Sequence, residues 1–133
     1  MILAKDINKL FNCLLGEGTV QLHIGGSDIN AQLSEQNAKI SVSAVVYEGD
    51  GYIPKSVRKC AAGKLPFSGE WIHTQLEIDE DNFTIFLTYK GQTREFNQSN
   101  FKDFLEEFSW QADEWRLYLE EHDKHDLIYA HAR

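Results

Sequence analysis

Cysteine, proline and long apolar runs are all scarce in this chain, and each shortage closes a class of structures. Cys13 and Cys60 are the only cysteines, too few for a disulfide framework. In a reducing compartment such residues read as free, small hydrophobes rather than a bridge or a zinc site. With 2 prolines in 133 residues, the chain is neither a linker nor a collagen-like repeat. No apolar run approaches the ~20 residues a membrane span needs. The opening stretch MILAKDINKLFNCLLGEG holds acidic and basic residues inside its apolar pattern, which speaks against a secretory signal. Gly16, Gly18, Gly25 and Gly26 are not followed by Gly-Lys-Ser/Thr, so they form no phosphate loop. No internal repeat or low-complexity segment is visible. The expectation is a cytoplasmic protein.

What is present suits one globular domain spanning 1–133, with residues 123–133 a candidate disordered tail. The chain is 42% hydrophobic, 12% aromatic and 26% charged, enough apolar material for one core at this length. Its net charge of −8 is uneven. Residues 79–133 hold 13 Asp+Glu against 6 Lys+Arg, and residues 1–78 hold 8 against 7. An acidic C-terminal half repels phosphates, so nucleic acid and anionic membrane are poor partners. The basic segment PKSVRKCAAGK, with Lys55, Arg58, Lys59 and Lys64, reads as a solvated loop or helix face.

The hydrophobic period changes along the chain. Leu3, Ile7, Leu10, Phe11 and Leu14 recur at helical spacing, and Gly16 and Gly18 end that helix. Three alternating segments follow, TVQLHI, INAQL and KISVSAVVYE, joined by Gly25-Gly26 and by SEQN into an antiparallel meander. Residues 49–69 are open between a short helix and a further strand. In EWIHTQLEI the set Ile72, Thr74, Leu76 and Ile78 is the inward face. A turn at DEDN leads to FTIFLTY, and Lys90-Gly91 turns the chain into QTREF, a second meander. Ser99 or Asn100 caps a closing helix. At about 100° per residue, Phe101, Phe104, Leu105, Phe108, Ala112, Trp115 and Leu119 fall in one stripe. Trp110, with Leu117 beside it, lies about 180° from the centre of that stripe. The expected fold is α+β: an N-terminal helix, an antiparallel sheet of about five to six strands in two meanders, and a C-terminal helix packed on it.

No catalytic constellation emerges. Cys60 follows two cations, which lower a thiol pKa, but no nucleophile turn surrounds it. Carboxylates lie in turns or on the outer face of the last helix, where they read as solvation. His23 and His73 stand in strands. His122 and His125 share a helical face at i, i+3 with no third ligand fixed, so no metal is assigned. The chain is read as a non-enzyme without cofactors. Trp110 differs from Trp115 in sitting among Asp103, Glu106, Asp113 and Glu114. An exposed tryptophan beside a leucine is a candidate binding anchor.

Taken together, LEIDEDNFTIFL and FKDFLEEFSWQADEWRLYL resemble the late strand pair and closing helix of the class I type III secretion chaperones, the Tir-chaperone-like family. AAGKLP (61–66) is similar to a small-residue, Gly, Leu-Pro stretch of that family. Residues 70–122 carry most of the resemblance. It implies a bacterial, cytosolic homodimer that wraps the N-terminal segment of a secreted effector in extended form, without ATP. Family members carry a longer middle helix, for which only residues 54–63 are available here. Phe11, Leu15, Val20 and Leu22 are then the expected groove residues, with Trp110 and Leu117 as a second contact. Two other classes remain: an immunity-type inhibitor of a toxin, and a pleckstrin-homology-like module if 55–62 is a strand.

Overall fold

A computed structural model describes residues 4–24, 26–62 and 72–131, with residues 4, 5, 60, 62, 98 and 122–131 described by backbone alone. Helix α1 (Ala4–Glu17) leads into β1 (Thr19–Ile24), β2 (Ser27–Ser34) and β3 (Lys39–Glu48). Helix α2 (Lys55–Ala62) precedes β4 (Gln75–Asp79) and β5 (Thr84–Gln92), and a 3-10 turn at Thr93–Glu95 feeds α3 (Gln98–His131). The sheet is antiparallel with strand order β1-β2-β3-β5-β4. The expected α+β arrangement is the observed one, with five strands among the described residues.

The period of two along each strand decides where the core sits. Val20, Ile29, Ala31, Ile40, Val42, Ala44, Ile85 and Leu87 are all buried. The ladder sets Ala31 against Val42 and Ala44 against Leu87, so they share one sheet face. Helices α1 and α3 pack on that face and on each other, and α2 packs on α3. From α3 the layer receives Phe101, Phe104, Leu105, Phe108, Ala112, Trp115 and Leu119, every one of them buried. Burying each large side chain contributes about 1.5–3 kcal/mol. Polar groups join them where they are paired: buried Gln111 accepts a 2.6 Å hydrogen bond from the buried Thr74 hydroxyl.

Local chemistry fixes the element ends. Gly18 takes φ +79° past α1, and its N–H donates to the Leu14 carbonyl at 2.8 Å. The cap of α3 is Asn97, not Ser99 or Asn100. Its carboxamide oxygen accepts from both of their N–H groups at 2.9 Å, and Asn100 Oδ1 accepts in return from Asn97 N–H at 2.6 Å. That is a reciprocal capping box built from asparagines.

Two further expectations are corrected and one open choice is decided. Lys90-Gly91 is no turn: β5 continues through it, with Gly91 facing Ile40 and Gln92 facing Lys39. Strand β3 is long enough to keep pairing, and ladder hydrogen bonds override a local turn signal. QTREF therefore supplies a strand end and a 3-10 turn rather than a sixth strand. Residues 55–62 are helical, which removes the pleckstrin-homology-like reading. Ile78, expected inside, is 38% exposed because β4 is an edge strand.

Candidate partner-binding site

Three segments far apart in sequence converge at the C-terminal end of α1. The first is α1 itself, which turns Phe11 toward the core at 9% exposure and leaves Leu15 at 40%. The second is the β2–β3 loop, where Glu35, Gln36 and Asn37 have φ of 53°, 58° and 68° in succession. Each non-glycine residue held in that left-handed region costs roughly 1–2 kcal/mol. The third is the 3-10 turn between β5 and α3, carrying Thr93, Arg94 and Phe96.

Hydrogen bonds lock the three together. Asn37 Nδ2 donates to the Leu15 carbonyl at 3.4 Å, and Thr93 N–H donates to the Ala38 carbonyl at 3.0 Å. Between them lies a pocket of about 510 Å³, lined by Phe11, Leu15, Asn37, Ala38, Lys39, Gln92, Thr93, Arg94 and Phe96. Its floor is braced from beneath. Phe96 stacks edge-on to Phe101 and Phe104 at 5.8 and 5.1 Å, and Phe11 meets Phe101 at 5.3 Å. Aromatic pairs in such geometry add to the stabilisation from burial alone. The pocket therefore exposes a mostly apolar surface over a floor of packed aromatic rings.

The four residues expected at a groove are divided among three settings. Phe11 and Leu15 share the pocket, Val20 is a core residue, and Leu22 lies half-buried beside Gln21, His23 and Asp28 at a separate depression. The pocket's other walls, Asn37, Ala38, Lys39, Gln92, Thr93, Arg94 and Phe96, carry no signal in the sequence that joins them to α1. Phe96 sits in a segment that reads as an alternating strand, and nothing local links it to α1.

Trp110 and Leu117 are 49% and 60% exposed on the outer face of α3. Asp103, Glu106, Glu114 and Glu121 flank them along the same helical stripe. Asp113 does not join this surface. Its carboxylate holds Arg116 and accepts from the Ser27 hydroxyl at 3.0 Å, while Arg116 Nη1 donates to the Gly26 carbonyl at 2.7 Å. This cluster ties the β1–β2 hairpin to α3. A Cβ on Gly26 would stand 2.6 Å from Arg116 Nη2, so a larger residue there would push the guanidinium aside and disturb this cluster.

Among the described residues no group of three or more His, Cys, Asp or Glu side chains could hold a metal ion. The side chains of His122, His125 and Cys60 lie outside the described residues. Cys13 donates to Glu17 Oε2 at 3.5 Å; desolvation first, then that carboxylate, push its thiol above the ordinary value. It is no activated nucleophile. His23 Nδ1 lies 2.6 Å from Asp28 Oδ1 on the open hairpin surface. No helix among the described residues is long and apolar enough to cross a membrane.

No family model matches the chain, and no curated protein does. Solved structures do match. A chain of the crystal structure of the ExsC–ExsE complex superposes at TM-score 0.61 and 16% identity, over 90% of this chain and 97% of that one. A chain of the ExoT–SpcS complex from Pseudomonas aeruginosa superposes at TM-score 0.54 and 15% identity, over 84% and 94%. At such identities the likeness is one of fold, and it runs along nearly the whole chain.

Proposed function

We propose that this protein is a type III secretion chaperone-like binder that holds the N-terminal segment of a secreted effector in extended form. The reading makes it a cytoplasmic homodimer that acts by contact alone, without cofactor or chemistry. The observation that carries it is the shared fold, since both neighbours are type III secretion chaperone–effector structures. The mostly apolar pocket at α1 fits the same role. So do β1 and β4, each paired on one side only among the described residues, which offers backbone groups that an incoming strand can complete. A bound segment loses conformational freedom, and a large buried area must offset that ordering cost.

Capture on tagged protein from the bacterial cytosol, followed by partner identification, tests this. The reading expects a larger partner whose N-terminal segment alone becomes resistant to limited proteolysis. It also expects a mass by light scattering of two copies to one partner. A partner bound through a folded basic domain, with affinity collapsing in salt, would instead mark an immunity-type inhibitor. Substrate turnover by the purified chain would end the proposal.

A further inference from the structure

We infer that the pocket at the end of α1 selects a bulky apolar side chain lying next to a carboxylate in the bound segment. This rests on the chaperone reading and sharpens it: the site would discriminate by charge as well as by hydrophobicity. The floor supplies the apolar half, with Leu15 and Phe96 offering exposed carbon to the cavity. The rim supplies the other half. Lys39 and Arg94 are the charged residues among those lining the pocket, and both are cations.

That is unexpected on a chain of net charge −8. At physiological ionic strength charges are screened beyond about 8 Å, so the nearest groups decide what the mouth attracts. Arg94 has no ion-pair partner among the described residues, leaving its fork of donors open to a carboxylate. Lys39 is shared with Glu35 at 3.4 Å, but both ends of that pair are more than half exposed. Such surface pairs are worth little and are readily exchanged. The walls do not need to be built on binding, because the loop 35–38 and the turn 93–96 are already pinned by backbone hydrogen bonds. Preorganisation of this kind lowers the ordering cost of association.

Three fluorescein-labelled synthetic peptides test the inference by anisotropy against the full chain. All carry a Leu-Phe pair in a Ser/Thr/Gly background, flanked by Asp, by Ser or by Lys. The expected order of affinity is acidic, neutral, basic, with about tenfold or more between the extremes at 0.15 M salt. Arg94→Gln should remove most of the preference while leaving the melting temperature unchanged, and Leu15→Asp should abolish binding of the acidic peptide. Equal binding of the three, preference for the basic one, or no binding of any would overturn the inference. So would a concentration-dependent dimer dissolved by Leu15→Asp, which would assign the pocket to a second copy. If the charge preference fails while the partner's N-terminal segment is still protected, the chaperone reading survives and this inference alone falls.

Discussion

Trp110 and Trp115 stand five positions apart on one helix and meet opposite surroundings. Trp115 is fully buried against the sheet and sits edge-on to Tyr118 at 5.8 Å. Trp110 is half exposed among carboxylates. The same residue type is thus spent on cohesion in one place and offered to solvent in the other. Helical rotation alone separates them. The lesson is that the inner stripe of α3 makes the fold, and its outer stripe is available for contact.

The comparison can be broken most decisively at Trp115. Trp115→Ala should destabilise by about 3–5 kcal/mol, because a core truncation leaves a cavity the packed layer cannot fill. A shift in denaturant midpoint at constant slope would register it. Next comes Asn97→Ala, which removes the cap common to both faces and should cost about 1 kcal/mol. Thermal melts should show it without any change in partner affinity.

Tyr89 sharpens the inner face through pH. Burial first, and the Glu95 charge second, hold its hydroxyl above the ordinary value of 10. The folded state therefore keeps this proton longer than the unfolded chain does. Its stabilising contribution is complete below pH ~10 and is lost as pH rises through the folded value. Melts across that window should fall more steeply for the wild type than for Tyr89→Phe.

Trp110→Ala should leave stability within about 0.5 kcal/mol of wild type while weakening association with the partner. Equal loss of stability at both tryptophans would erase the distinction between faces. The smallest effect belongs to Thr93→Val. The Thr93 hydroxyl is buried with no hydrogen-bond partner among the described residues, so deleting it should change stability by less than about 0.5 kcal/mol.

The inner stripe was legible because periodicity is local: seven apolar positions recur at helical spacing, and all seven are buried. The β2 and β3 alternations were legible for the same reason. Lys90-Gly91 misled because a turn signal competes with ladder pairing, and the length of β3 decides that competition from a distance. Asn97 hid among neighbours of similar capping chemistry. The pocket was half legible. Phe11 and Leu15 lie at the edge of a visible stripe, whereas Lys39 and Arg94 join them only through the ladder that sets Lys39 beside Gln92. Long-range register leaves no trace in a local pattern.

Amide hydrogen exchange on the free protein and on its complex with the captured partner tests the central claim most directly. The account predicts new protection at residues 11–15, 35–39 and 92–96, and unchanged, already slow exchange along the buried stripe of α3. Protection confined to other surfaces, with those three segments exchanging as in the free protein, would contradict it.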